Sequence, residues 1–395
     1  MKAPNRKYYK KSLDNCFQGG KMNKKKILDL VLGLTLVFIV GYEYTAAVGN
    51  NMGDIASVWF KEIKRIDFRN LPETIDFTNP SRIAFNSRNE LFVTDTRAHN
   101  IKVFNTQGKF LKVFGQEGKG PGDLNRPTGI IFNGRYMIIW ELGNYRFSLF
   151  NEDGEFVRHV KSKQPAVVWK LKSLGNGQIA FEVREGDFEN EKAVIYIMDK
   201  ELEKQEKFYS HPIKRERYVN KIKDDVKIPF GPLVSWDVMG PNKIVIGYQE
   251  EYKIDVLTNN KEKLFSIEHQ SRRVKVSKKD RDKYFSSMFY VINGQTRQGA
   301  PPLIKKYTRF PKLKPYYKDI LVAPENNIWI SIYTESGKEK LADVFERNGQ
   351  FVKRIKIQGE LGYSSVFAQD GTLWTVIEGD RGYHVVVQYQ IKEYP

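Results

Sequence analysis

The sequence predicts an all-β protein, and within that class a β-propeller of six blades. Three observations predict it: a motif that recurs at roughly 40–50 residues, six hairpin turns that each precede a strand-like run, and one spare strand near the N-terminus. Aromatic residues make up 13% of the 395 residues, which favours strands. A hydrophobic share of 41% excludes a chain that is disordered by composition.

The repeat is clearest between residues 93–110 and 139–156, which align with a constant offset of 46 residues. In both copies a strand-like run ends in a carboxylate, Asp95 or Glu141. A third copy lies around Gly349. We expect Asp95 and Glu141 to anchor backbone groups within their blades rather than to act as a catalytic acid pair.

Two kinds of turn divide each repeat. The first kind contains Gly or Asn, which tolerate the positive φ of tight hairpins, and falls at 87–89, 133–134, 175–177, 240–242, 325–327 and 369–371. The second kind appears five times, and the last repeat lacks it. Residues 57–68 alternate apolar and charged side chains and can supply the missing strand, so the two ends of the chain would share the last blade and close the ring.

Residues 80–130 resemble an NHL repeat. The resemblance is carried by Pro80, Ile83, Leu91, Val93, Asp95, Asn100, Ile101, Val103, Phe104, Gly108, Phe110, Phe114 and Gly115, and by the loop at 118–127. The chain also resembles bacterial exported six-bladed propellers. The resemblance implies a propeller over residues 57–395 but little about activity, because propellers serve as binding modules, lyases, lactonases and scaffolds.

The N-terminal residues predict export. Lys24, Lys25 and Lys26 precede a run of uncharged residues at 30–42, and small residues follow it. The run is shorter than the roughly 20 residues of a spanning helix, so an N-terminal apolar helix that serves as a signal peptide is predicted at 22–47, with an uncleaved membrane anchor through 27–47 as the alternative. Translation from Met22 would make residues 1–21 an upstream extension. We expect a periplasmic propeller, or one anchored to the cell membrane on its outer side.

The formal charge of +18 is uneven along the chain. Residues 261–318 hold 16 Lys or Arg and 4 Asp or Glu. The spacing between successive turns of the first kind is unusually wide in two places. This spacing predicts two insertions, at 211–231 and 272–316, each between the last strand of one blade and the first strand of the next. Connections of this type emerge on one face of a propeller, so both insertions should lie around the same rim of the central channel.

The second insertion is both basic and aromatic. Its predicted anion-binding residues are Arg272, Arg273, Lys275, Lys278, Lys279, Arg297, Lys305, Lys306, Tyr307 and Arg309. Lys and Arg attract carboxylate, sulfate and phosphate groups, and aromatic faces stack on sugar rings or bases. The alternative is a solvated lid whose aromatic residues only form its own core.

Several other features favour structural roles. Five tryptophans in strand-like runs are expected to pack between blades, at 140, 169, 236, 329 and 374. The glycine-rich stretch at 118–122 predicts an inter-blade turn, because no helix pattern follows it. The five His residues show no ligand spacing, so no metal site and no cofactor are expected. Cys16 precedes the apolar run, so the propeller is expected to contain no disulfide.

The sequence favours a monomeric binding or scaffolding propeller over an enzyme. The expected partner is an anionic glycan, a lipid surface or an acidic protein. One alternative is a lyase or lactonase that acts at the channel mouth, with His211 and His269 as the candidate residues. The other is a nucleic-acid-binding NHL propeller, which the predicted export disfavours.

Overall fold

The computed structural model describes residues 56–394, except 68–70, 76, 164–165, 188–189, 214–227, 293–294, 336, 338, 360–361, 363 and 380–382. The predicted apolar helix at 22–47 and the extension at 1–21 lie outside the described residues. Within the described part of the chain, none of the helices combines the length and the apolar character needed to span a bilayer.

The described residues form a six-bladed β-propeller, as predicted. The chain enters the ring through β1 (Ala56–Ile66). Blade 1 contains β2 (Pro80–Phe85), β3 (Leu91–Asp95), β4 (Asn100–Phe104) and β5 (Phe110–Phe114). Blade 2 contains β6 (Pro127–Phe132), β7 (Met137–Glu141), β8 (Arg146–Phe150) and β9 (Phe156–Lys161). Blade 3 contains β10 (Lys170–Ser173), β11 (Ile179–Glu185), β12 (Lys192–Met198) and β13 (Gln205–Pro212).

The second half of the ring repeats this order of strands. Blade 4 contains β14 (Val234–Val238), β15 (Lys243–Tyr248), β16 (Lys253–Thr258) and β17 (Lys263–Glu268). A hairpin, β18 (Phe289–Ile292) and β19 (Gln295–Gln298), follows it. Blade 5 contains β20 (Tyr317–Val322), β21 (Ile328–Ile332), β22 (Lys340–Phe345) and β23 (Phe351–Gln358), with a 3₁₀ turn at Pro324–Asn326. Blade 6 contains β24 (Ser364–Phe367), β25 (Leu373–Glu378) and β26 (His384–Tyr394), and β1 is its fourth strand.

The N-terminal strand closes the ring. β1 pairs antiparallel with β26, with Phe60 opposite Ile391. The first residues of β1 also pair in parallel with β23, with Ala56 opposite Ile355, so blades 5 and 6 share one eight-stranded sheet. The pairing covers the outer edge that blade 6 would otherwise expose, and it confirms the predicted closure.

The hydrophobic core lies between neighbouring blades. Trp140 of blade 2 is fully buried, and its ring centroid lies 4.8 Å from that of Phe147. Phe147 in turn lies 5.3 Å from Phe181 of blade 3. Trp236 and Trp374 are equally buried, in agreement with the predicted packing role of these residues.

The two insertions lie at the inter-blade connections after blades 3 and 4. In the first, β13 ends at Pro212 and β14 begins at Val234. The second contains α1 (Lys278–Ser286), the β18–β19 hairpin and α2 (Pro302–Tyr307). A capping box between Ser277 and Asp280 starts α1. We call residues 269–316 the basic insertion.

Candidate functional site at the channel mouth

The first strands of the six blades surround a central cavity of about 1120 Å³. Each blade is an antiparallel sheet of four strands, so its fourth strand ends where its first strand begins. All inter-blade connections, the two insertions included, therefore gather at one end of the ring. We call this end of the cavity the channel mouth.

The cavity wall carries an excess of positive charge. Six cationic side chains line it, namely Arg82, Lys170, Lys172, Arg184, Lys318 and Lys340. Three carboxylates line it as well, Glu182, Asp237 and Asp319. The sequence did not predict this cluster, because its members come from blades 1, 3, 4 and 5 and meet only once the ring has closed.

Two of the carboxylates form ion pairs with cations of the wall. Lys172 Nζ lies 2.8 Å from Asp237 Oδ1, and Arg184 Nη2 lies 3.1 Å from Glu182 Oε1. Burial disfavours the ionised form of Asp237, but the charges of Lys172 and Lys170 outweigh it and lower the pKa of this carboxyl group. The positive charges of Lys172 and Arg184 are therefore compensated by carboxylates of the wall and are not available to attract an anionic ligand.

Lys170 is also compensated by acidic neighbours. Its ammonium group donates a hydrogen bond to the backbone carbonyl of Trp236. Burial opposes its charge, yet Asp319, Asp237 and Glu182 together raise the pKa of Lys170. Lys170 is thus a charged part of the wall and not a deprotonated nucleophile.

Lys318 lies among positively charged neighbours, in contrast to Lys170, whose neighbours are acidic. Its neighbours include three further lysines, Lys314, Lys340 and Lys283. Burial and these three positive charges lower the pKa of Lys318. Its ammonium group lies 5.2 Å from the ring centroid of Tyr333, whose own pKa burial raises to about 12, so the ring is neutral. Among the described residues, no carboxylate forms an ion pair with Lys318.

Trp169 presents an aromatic face at the channel mouth. It precedes β10 and is 56% exposed, although it lines the cavity. Its backbone N–H donates to the carbonyl of Glu182 at 2.8 Å, and the guanidinium carbon of Arg184 lies 5.7 Å from its ring centroid. The prediction that this tryptophan packs between blades is wrong, because the residue stands at the start of an inner strand and faces the cavity.

The basic insertion borders the channel mouth. Lys314 of the insertion is buried and forms an ion pair with Asp280 of α1 at 2.7 Å. The ammonium group of Lys314 lies 5.4 Å from the ring of Tyr333, the same ring that Lys318 contacts. The base of the basic insertion is therefore joined to the wall of the channel through Tyr333.

The described end of the first insertion contacts the basic insertion. Phe230 lies 6.3 Å from Phe310, ring centroid to ring centroid, and 5.6 Å from Lys314 Nζ. Phe310 also lies 5.5 Å from both Tyr284 and Phe285 of α1. The insertion thus has a small aromatic core of its own, and its aromatic residues have a structural role.

Most of the predicted anion-binding residues project into solvent. The exposed ones are Arg272, Lys275, Lys278, Lys279, Arg297, Lys305, Lys306 and Arg309. Tyr307 is half-buried, with the ammonium group of Lys306 5.4 Å from its ring. Arg273 differs, since its guanidinium donates to the carbonyls of Lys314 and Leu313 at 2.8 and 3.2 Å and so fastens the base of the insertion.

The two candidate histidines lie away from the channel. His211 is on β13, the outer strand of blade 3, where its ring stacks on Tyr248 at 3.8 Å and Nδ1 lies 2.8 Å from the carbonyl of Pro212. His269 stacks on Phe351 at 4.8 Å, and burial lowers its pKa. Neither histidine is among the described residues that line the channel cavity, because His211 lies on the outer strand of blade 3 and His269 directly follows the outer strand of blade 4.

In the described ranges, His, Cys, Asp and Glu side chains form no group of three or more that could hold a metal ion. Two carboxylates of the channel wall, Asp237 and Glu182, bind lysine and arginine instead.

The fold and the mouth together define a six-bladed propeller with a cationic, aromatic opening. The chain belongs to the DUF5128 family, a family of 6-bladed beta-propellers whose model matches residues 52–295. A stretch of 85 residues is 35% identical to the protein brain tumor of Drosophila melanogaster. That stretch is 21% of this chain and only 8% of the fly protein, so the two share a short segment.

Solved structures that are similar to this chain include two bacterial proteins. A Bacteroides fragilis protein that is named as exported aligns with a TM-score of 0.50 at 14% identity, over 87% of this chain and 98% of that chain. Virginiamycin B lyase from Staphylococcus aureus aligns with a TM-score of 0.41 at 12% identity, over 85% and 99% of the two chains. At this identity the Bacteroides fragilis structure shows a shared fold and nothing about a shared activity.

Proposed function

We propose that this protein is a binding or scaffolding propeller outside the cytoplasm that holds an anionic partner on its basic insertion. The observation that carries the proposal is the set of eight exposed Lys and Arg side chains of the insertion, which stand beside a channel wall of net positive charge. A charged surface of one sign attracts ligands of the other sign and speeds their association. The signal peptide predicted at 22–47 supports the location.

An acidic glycan fits this surface better than a single small anion does. The eight cations are spread over α1, α2 and the segments that flank them, and their side chains are exposed. Each contact with an exposed lysine is weak, so a ligand that repeats its anionic group gains affinity by engaging several of them at once. The lyase alternative has less support, because His211 and His269 lie on the outer side of their blades.

Binding to a polyuronate measured by isothermal titration tests the proposal. The test variant replaces Lys278, Lys279, Lys305 and Lys306 by Gln. The control variant replaces Lys109, Lys200, Lys204 and Lys261, four exposed lysines near the turns between third and fourth strands, at the opposite end of the ring.

We expect the insertion variant to bind at least about tenfold more weakly, which corresponds to about 1.4 kcal/mol, and the control variant to bind as the wild type does. An equal loss of affinity in both variants would mean that polyuronate binding depends only on the net charge of the protein. Wild-type binding to anionic vesicles or to an acidic protein, without binding to the polyuronate, would assign the surface to those partners instead.

A further inference from the structure

The channel mouth is built differently from the surface of the basic insertion. It is concave, and it opens into the central cavity, whose volume of about 1120 Å³ slightly exceeds the roughly 300–1,000 Å³ of typical small-molecule sites. It is lined by charged groups from several neighbouring strands, and some of these groups are held by ion pairs within the wall. Such a cavity suits one small ligand with a defined orientation.

The distribution of charge in the cavity shows where an anion would bind. Lys172 and Arg184 each form an ion pair with a carboxylate of the wall, and Lys170 lies in the field of three carboxylates. Lys318 instead lies near three lysines, whose combined effect exceeds that of the nearby Asp280, and it forms no ion pair with a carboxylate among the described residues. An anion beside Lys318 would replace this repulsion with attraction, whereas an anion beside Lys170, Lys172 or Arg184 would meet the acidic side chains.

The aromatic face of Trp169 supplies the second contact. An indole that is 56% exposed in a cavity leaves a large apolar surface in contact with water. Arg184 is held over this ring by its ion pair with Glu182, so the ring is oriented before any ligand arrives. A sugar ring in the chair form has an apolar face of C–H groups, and this face can lie on the indole ring of Trp169.

We infer that the channel mouth binds a small acidic sugar, with its ring against Trp169 and its carboxylate or sulfate group beside Lys318. The two side chains come from blades 3 and 5 and line the same cavity, and the hydroxyl groups of the sugar would face the polar wall between them. This site is separate from the surface of the basic insertion, and neither depends on the other for binding.

Titration calorimetry with four probes tests this inference. Glucuronate and glucose 6-sulfate carry both the ring and the anion, glucose carries only the ring, and acetate carries only the anion. We expect the two acidic sugars to bind, and glucose and acetate to bind at least about tenfold more weakly. Acetate binding as tight as that of glucuronate, or no binding of either acidic sugar, would overturn the inference.

Single substitutions assign the two contacts. Lys318→Met keeps the side-chain length without the charge and should weaken both acidic sugars at least about tenfold. Trp169→Ala should weaken them similarly, whereas Trp169→Phe should retain much of the affinity because it keeps an aromatic face. Lys261→Met, at the opposite end of the ring, is the matched control. Unchanged binding of the acidic sugars to Lys318→Met or Trp169→Ala would contradict the proposed site.

The same experiment separates this site from the polymer-binding surface. The Lys278/Lys279/Lys305/Lys306 variant should bind glucuronate as the wild type does, even if it no longer binds the polyuronate. Loss of glucuronate binding in that variant would mean that a single surface binds both ligands, which contradicts a separate channel site. Thermal midpoints of all variants confirm that each one is folded before it is titrated.

Discussion

Single buried charges fix the backbone at equivalent positions of successive repeats. Asp95, fully buried at the end of β3, accepts hydrogen bonds from the backbone N–H groups of Thr78 and Asn79 at 2.8 and 2.9 Å. It also lies 2.9 Å from the ammonium group of the buried Lys102. Glu141 has the equivalent place at the end of β7 and accepts from the backbone N–H of Asn125 at 2.8 Å. The anchoring role predicted for both residues is confirmed.

Replacing Asp95 by Ala is expected to lower the free energy of unfolding by about 3–5 kcal/mol, because Lys102 would be left buried without its partner. The measurement is urea unfolding followed by circular dichroism. Arg88→Ala, which removes exposed ion pairs with Glu90, Glu152 and Asp153, should cost at most about 1 kcal/mol. A cost for Asp95→Ala no larger than that of the control would show that the buried pair does not stabilise blade 1.

Lys318 gives the acidic-sugar site a characteristic pH dependence. Its pKa lies below the ordinary lysine value of 10.5, and only the protonated form attracts an anion. Affinity for glucuronate should therefore fall as the pH rises through the lowered pKa of Lys318, before an ordinary lysine would lose its proton. Calorimetric titration between neutral pH and pH 10 measures this loss. Lys318→Met should show weak binding with no such decline, and a parallel decline in that variant would assign the effect to another group.

The same residue should lower the stability of the ligand-free protein. A lysine whose pKa is lower in the folded state opposes folding while it is charged, and the opposition disappears as the pH rises and the proton is lost. Lys318→Met is therefore expected to raise the thermal midpoint slightly at neutral pH. The gain should stay below about 1 kcal/mol, because solvent in the channel screens the repulsion.

At the scale of single elements, β1 determines whether the ring is closed. The strand lies next to β26 along nearly its whole length and also touches β23. Phe60 is 5% exposed and stacks on Tyr389 with ring centroids 5.8 Å apart, whereas Ile63 on the same strand is 46% exposed. The alternation of buried and exposed side chains made this strand recognisable in the sequence.

Phe60→Ala is expected to cost about 3–5 kcal/mol of stability, because it leaves a cavity between the two ends of the chain. Ile63→Ala, three residues further along the same strand, is the matched control and should cost less than about 1 kcal/mol. Guanidinium unfolding of the two variants provides the comparison. Equal costs would indicate that the strand does not close the ring in solution.

At the scale of the whole molecule, the sequence predicted two kinds of feature: those that recur along the chain, and those in which one residue type is concentrated in a single segment. Turns rich in Gly and Asn predicted six blades, and the density of Lys and Arg after residue 261 predicted the basic insertion. The channel wall could not be predicted in this way. Trp169, Asp237 and Lys318 lie far apart in sequence, and each alone is an ordinary residue of a strand or its flank. Their common role follows only from the closed ring.

A crystal structure of the propeller with a bound uronic acid oligosaccharide tests the central claim most directly. We expect ligand density at the channel mouth, with a carboxylate within hydrogen-bonding distance of Lys318 and a sugar ring on Trp169, and with the rest of the oligosaccharide over the basic insertion. Density confined to the outer strands, or to the opposite end of the ring around Lys109 and Lys200, would contradict it.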